Sequence, residues 1–466
     1  MTGVLLRNAE LEGGVRVDVR VRGDRIAEIA PILDRRGEEE LDCRGGALLP
    51  GLTDSHVHLL ALAAADRSIG CGPPAVTDRE SLAATLAAAP ADPAGWVRGI
   101  GYVETVAGDL DTDAIDRLHA TRPVRIQHRS GALWMLNSRA VDLLGLNSAH
   151  APGIERNSTG RATGRLWRAD AELRRRLPPG VPPDLTAVGR HLTGYGITAV
   201  TEATPDLDPV AVAAIAAAME DGRLPQRVHF LGLPPGVPAP AVAGATLGPY
   251  KIVLADSGLP DLDGLAERIA HTHAAGRGVA AHCVTREALV LLLAALDMAG
   301  PHADDRIEHA ALVPEELVPE LARRRLAVVT QPGFLAVRGD DYLRDVPAPE
   351  HSDLYRCRSL LDAGVPVALS SDAPYGPLDP WAVMAAAAHR RTAAGDVVSS
   401  LERLAPEQAL DAYLADPSTP GTARLLGVGR PADLVLLDRP RAPALADPDS
   451  RSVRTVLIGG RIAHHA

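Results

Sequence analysis

The stretch Val279-Ala280-Ala281-His282, continuing through Arg286 to Ala299 and on to Asp305-Arg306-Ile307-Glu308-His309, decides the fold. A short apolar run, an Ala- and Leu-rich interval of helical length and a second short run read as strand, helix and strand, the unit from which parallel sheets are built. The same alternation extends in both directions. Further strand-like runs are Leu48-Leu49, Val124-Arg125-Ile126, Thr198-Ala199-Val200-Thr201, Tyr250 to Leu254, Ala327-Val328-Val329-Thr330 and Val365 to Ser370. Helical stretches cover Pro209 to Asp221, Leu262 to Ala275, Pro314 to Arg325 and Pro380 to His389. Eight strands with crossover helices predict an α/β fold, a (β/α)8 TIM-like barrel over residues 51–421. The Gly-rich phosphate fingerprint of a dinucleotide fold is missing after the first strand.

The two ends carry a different period. Val15, Val17, Val19 and Val21 alternate with polar residues, and Asp433 to Asp438 and Val453 to Ile458 read as two more strands. Neither end alone has enough strands to bury a face, so residues 1–50 and 422–466 are expected to pair into one small β-sandwich domain. Two intervals, near 60–122 and 147–183, are too long for the alternating scheme and are expected as insertions over the barrel mouth, where loops shape substrate access. Pro417-Ser418-Thr419-Pro420-Gly421 is expected as the linker back to the β domain.

Composition narrows the function. The 466 residues carry a net charge of −11 and are 46% apolar, which suits a globular protein and argues against a nucleic-acid partner or an anionic membrane surface. The start lacks the apolar core of a signal peptide and no run approaches a membrane span, so a cytoplasmic location is expected. Cys43, Cys71, Cys283 and Cys357 are scattered, without metal or redox spacing, and read as buried thiols. With four Trp, seven Tyr and two Phe, a broad stacking surface for a nucleobase or polysaccharide is not expected. The partner implied is a small-molecule substrate, and a homodimer is allowed for. One count stands out: the 48 Lys and Arg residues include a single lysine, Lys251.

In a barrel of this type the active site forms at the C-terminal ends of the strands. There Pro50-Gly51-Leu52-Thr53-Asp54-Ser55 runs into His56-Val57-His58, whose alternation puts two imidazoles on one side. Such a pair is weak alone among 16 histidines, and its place at a strand end strengthens it. Other strand-like runs end in His282, His309 and Asp372, and Lys251 lies inside an apolar strand where an unpaired ammonium would be costly.

These residues together resemble the amidohydrolase superfamily of metal-dependent hydrolases, in its amidohydrolase family 3 or YtcJ-like branch. The carriers are Leu49 to His58, Tyr250-Lys251-Ile252 with Asp256, Arg306-Ile307-Glu308-His309-Ala310, Gln331-Pro332, Ala368 to Pro374, Leu378-Asp379-Pro380-Trp381 and Arg430 to Val435. The resemblance implies that His56, His58 and Asp372 hold one metal and that His282 and His309 hold a second. It further implies that Lys251, carrying a CO₂-derived carbamate, bridges two divalent ions, zinc by default. Arginine could not do this, because its guanidinium stays protonated. The implied reaction is metal-assisted hydrolysis of a non-peptide C–N bond in an N-acyl, formamide or cyclic amide substrate, with Asp372 as the catalytic proton shuttle. A deaminase, lactonase or isomerase of the same superfamily is the alternative, and a non-catalytic barrel scaffold a third reading.

The chain departs from the branch in the loop after Val124-Arg125-Ile126. Where the branch shows Gly-His before an Asn-Ser, this chain has Gly131-Ala132 and, later, Asn137-Ser138. His128 could fill the space of the absent histidine, and His128, Trp134 and Asn137 are the expected substrate contacts. Asp256 is expected as a turn or helix-cap residue.

Overall fold

The computed structural model describes residues 3–90, 92, 94–178, 180–255 and 258–466, so Asp256 lies outside the described residues. Strand Val279–Cys283, helix Arg286–Ala299 and strand Arg306–His309 follow one another as the sequence predicts. The Thr285 hydroxyl accepts the backbone N–H of Ala288 and fixes where that helix starts. Asp208, Asp261 and Asp379 cap the helices Pro209–Glu220, Leu262–Ala274 and Pro380–His389 in the same way. Leu289, Leu292 and Leu296 share one face of Arg286–Ala299 and are buried in a cluster with Ile252, Ile307 and Val328 of the neighbouring strands. Burying each such side chain contributes about 1.5–3 kcal/mol, so this seam holds helix to sheet more firmly than any single hydrogen bond there.

Two parallel sheets result. One has five strands in the order Tyr250–Val253, Val279–Cys283, Arg306–His309, Ala327–Thr330 and Val367–Leu369. The other has four, in the order Ala245–Leu247, Arg227–Phe230, Ile197–Glu202 and Leu52–Val57. Backbone hydrogen bonds link the two sheets at both ends of the series: Lys251 N–H donates to the Leu231 carbonyl at 3.1 Å, and Asp372 N–H to the His56 carbonyl at 2.9 Å. Register places Lys251 beside Ala280, Ala280 beside Arg306 and Arg306 beside Ala327, so these four residues share one face.

Two of the expected strands are placed differently. Leu48–Pro50 pairs antiparallel with Leu434–Leu437 rather than with a parallel neighbour, and the chain then continues as Leu52–Val57. The break falls at Gly51, where a Cβ would meet the Thr198 hydroxyl at 2.1 Å. Val124–His128 belongs to a six-stranded mixed sheet with Val97–Tyr102 and Leu133–Leu136, not to the parallel series. Two parallel strands lie outside the expected runs, Ala245–Leu247 and Arg227–Phe230, the second because Arg227 and His229 break its apolar run.

By contact pattern the chain divides into two compact units, residues 1–60 with 184–466, and residues 61–183. The second unit holds the six-stranded sheet and its own core around Tyr102, Ile115, Ile126 and Met135. The two intervals expected as insertions, near 60–122 and 147–183, fall together with the segment between them in this one unit. In the first unit the chain ends form two four-stranded sheets, one containing Val4–Glu10 and Arg16–Arg22, the other Leu434–Leu437 and Val453–Ile458. Leu6, Val19, Val21, Leu48, Leu434 and Leu436 from both sheets pack in one apolar cluster. The expected linker carries a short hairpin instead, Ala415–Asp416 against Thr419–Ala423. Among the described residues no helix is long and apolar enough to cross a membrane.

Candidate metal centre

The strand Leu52–Val57 delivers His56 to the interior with no exposure, and His58 follows directly after it. Asp372 follows the strand Val367–Leu369, and its carboxylate Oδ1 lies 3.1 Å from His58 Nε2 and 3.5 Å from His56 Nε2. The His56, His58 and Asp372 ligand atoms all lie within 4.8 Å of one another. His309 ends the strand Arg306–His309, with its ring centroid 4.8 Å from that of His56 and 4.3 Å from that of His282. Lys251 is 2% exposed, and its Nζ stands 3.3 Å from His56 Nε2. All six residues expected at the metal centre are therefore close neighbours in one compact unit.

The backbone is bent to hold them. His309 and Asp372 adopt left-handed conformations, with φ of 72° and 53°. Residues hold such conformations against a cost of order 1–3 kcal/mol only where the surroundings over-determine them. Asp54 supplies part of that constraint: its carboxylate accepts the His56 and Ser371 N–H groups, each at 3.1 Å, and the Ser371 hydroxyl, tying the first strand to the Asp372 segment. Burial pushes the Asp54 carboxyl up to about 6 despite these bonds. Glu202 accepts the Leu59 N–H at 2.7 Å and the Thr204 N–H at 2.9 Å, which fixes the turn after His58.

Each of three imidazoles spends Nδ1 on a protein partner. His56 Nδ1 bonds the Glu308 carboxylate, His58 Nδ1 meets the Thr204 hydroxyl at 3.0 Å, and His309 Nδ1 meets Gln331 Oε1 at 2.9 Å. Glu308, fully buried, also accepts from Arg306 Nε at 2.6 Å. Glu308 and Gln331 lie in the family-like segments Arg306 to Ala310 and Gln331-Pro332, where the sequence alone assigns them no role. The signal for Glu308 was the period-two spacing that puts it on the face of Arg306.

Burial, aided by the Lys251 charge, pushes the His56 imidazole down to about 3, and burial also lowers His309, so both rings favour the neutral, metal-binding form. Burial brings the Lys251 ammonium down to about 8. Burial alone would raise the Asp372 carboxyl, but the His58 hydrogen bond and the surrounding imidazoles outweigh it and hold the carboxyl well below the usual range. A divalent ion fits this donor set. Neutral imidazoles anchored through Nδ1 leave Nε2 for coordination, and an ionised carboxylate lies within reach of two of them.

The expected substrate contacts lie in the unit 61–183. Asn137 is fully buried; its Oδ1 accepts the Val124 and Ala140 N–H groups and its Nδ2 donates to the His119 and Arg122 carbonyls. That commits the whole amide to the backbone, so Asn137 is a structural residue and not a pocket one. Trp134 is 5% exposed on the strand Leu133–Leu136, donates Nε1 to Asp170 at 2.8 Å, and has the Arg98 and Arg125 guanidiniums near its ring. Its placement is a packing one too. His128 is half-buried, with Nδ1 on the Ser130 hydroxyl at 2.7 Å and Nε2 on Glu104 at 3.2 Å.

The sequence model of the amidohydrolase family matches residues 39–464. The chain belongs to the amidohydrolase family. Like its family it is a metal-dependent hydrolase, and the His56, His58 and Asp372 group is where the structure offers an ion its ligands. An N-substituted formamide deformylase of Arthrobacter pascens is 27% identical over 507 residues, spanning 93% of this chain and 92% of that protein. The YtcJ protein of Bacillus subtilis (strain 168) is 25% identical over 395 residues, 73% of each chain. A metal-dependent hydrolase from Pyrococcus horikoshii OT3 has a similar fold, with a TM-score of 0.73 over 99% of this amidohydrolase and 100% of that chain at 19% identity.

Proposed function

We propose that this amidohydrolase cleaves a non-peptide C–N bond of a small N-acyl, formamide or cyclic amide substrate. In this reading its site takes two divalent ions, zinc by default, bridged by a carbamate on Lys251. The observation that carries the reading is the setting of Lys251, the only lysine in the chain, buried with Nζ 3.3 Å from His56 Nε2 and brought down to about 8 by burial. A carbamate forms from a neutral amine, and its single negative charge, shared by two oxygens, would offer one donor atom to each of two dications. His56, His58 and Asp372 would then hold one ion, and His282 and His309 the other.

Bound there, the ions would lower the pKa of a water and polarise the scissile carbonyl. The protein's residues supply the rest. Glu308, Thr204 and Gln331 hold three rings in place through Nδ1. Asp372 stays ionised, and with Oδ1 turned to His58 its Oδ2 takes the proton and delivers it to the leaving nitrogen.

The same reading closes the two parallel sheets into a (β/α)8 barrel and joins the chain ends into a composite β-sandwich. It is supported by the backbone bonds of Lys251 and Asp372 that link the sheets and by the apolar cluster that the two terminal sheets share. The deformylase relative makes N-substituted formamides the first substrates to try. Metal-loaded protein is expected to release formate from members of an N-substituted formamide series, or the corresponding acid from an N-acyl or cyclic amide series. Absence of turnover on all three would refute the reading.

A further inference from the structure

The three anchored imidazoles of the centre do not receive equivalent partners. His58 meets a neutral hydroxyl and His309 a neutral amide oxygen, whereas His56 meets a carboxylate. Hydrogen bonds to an ionised acceptor are roughly twice as strong as neutral ones, and a carboxylate behind an imidazole raises the basicity of its far nitrogen. A fully buried carboxylate is costly unless it is paired. Arg306, itself 2% exposed, supplies the pairing through Nε at 2.6 Å and reaches the Ser55 carbonyl with Nη2 at 3.4 Å. The chain Ser55, Arg306, Glu308, His56 therefore starts and ends on the first strand, crossing to Arg306–His309 and back, so a shift of any member moves the His56 ring.

We propose that Glu308, held by Arg306, is a positioning residue that fixes the proton of His56 on Nδ1 and makes His56 the strongest imidazole ligand of the centre, an inference that rests on the metal-binding reading above. Arg306 holds the carboxylate in place, and Glu308 aims the His56 Nε2 lone pair at the site. The Gln331 amide oxygen, an acceptor, does the same for His309 with less force, and the Thr204 hydroxyl gives His58 Nδ1 a neutral partner. Gln331 is oriented in turn by donation to the Ser370 hydroxyl at 2.9 Å.

Two measurements on the full chain test this. In ¹⁵N-histidine spectra of the metal-free wild type, the His56 ring is expected to carry its proton on Nδ1; a proton on Nε2 would overturn the inference without any variant. Zinc affinity, read by competition with a chromophoric chelator, is expected to weaken roughly 10- to 100-fold in Glu308→Gln. Thr204→Val should weaken it less, and Glu308→Asp should restore part of the loss. A Glu308→Gln protein that binds zinc as the wild type does, or no more weakly than Thr204→Val, would refute the inference while leaving the metal site standing. A wild type that binds no zinc would refute both.

Discussion

Lys251 Nζ lies 3.3 Å from Nε2 of His56, on a strand face shared with Ala280, Arg306 and Ala327. Ala280 and Ala327 bring no charge to that face, and Arg306 is already paired with Glu308. The lysine thus faces a histidine rather than a dedicated carboxylate, and a modification that turns its cation into an anion would suit the setting. Lys251→Ala is expected to lose binuclear metal loading and turnover, and added acetate or propionate should restore part of both by supplying carboxylate oxygens in place of the carbamate. Turnover of the unrescued variant at the wild-type rate would count against the bridge.

The depressed Lys251 amine sets a pH signature. Folded Lys251 titrates at about 8, down from an ordinary 10.5, so its neutral, CO₂-reactive form grows as pH rises through about 8 and is nearly complete above 9. At fixed dissolved CO₂, reactivation of metal-free, decarboxylated protein should speed up between pH 7 and 8 and level off by pH 9. An ordinary lysine would instead gain about tenfold per pH unit over the whole range.

Asp372→Asn keeps the size of the side chain and removes the proton acceptor. Its expected effect is a fall in kcat of about 10²–10⁴-fold, with much of the metal retained, checked by pairing metal analysis with steady-state kinetics. A variant within a few-fold of wild-type kcat would show that another group carries the proton.

Asn137→Ala separates structure from catalysis. Loss of the amide leaves the Val124 N–H, at 3.0 Å from Oδ1, without its partner in a buried setting. Stability should drop by about 1–3 kcal/mol in denaturant unfolding, with KM and kcat of the folded fraction unchanged. A selective rise in KM would return Asn137 to the substrate pocket.

Most of the metal centre was legible because strand ends are punctuated by chemistry: His56, His282, His309 and Asp372 each come at or just after the end of a strand-like segment, and a lone lysine is conspicuous in an arginine-rich chain. Arg227–Phe230 was hidden because its inward-paired His229 and its Arg227 replace the apolar residues that mark a strand. Val124–His128 has the same local pattern as a parallel strand, and only its antiparallel partner Leu133–Leu136 reveals a different sheet. Asn137 looked like a pocket residue because an exposed amide and a buried cap have the same sequence. Thr204 and Glu202 were illegible since their roles depend on a turn whose geometry no spacing encodes.

The central claim is a two-ion site bridged through Lys251, and the most direct test is the metal content of protein reconstituted with zinc and bicarbonate. The wild type is expected to hold close to two ions per chain and Lys251→Arg clearly fewer. One ion or none in the wild type, or two in both proteins, would contradict it.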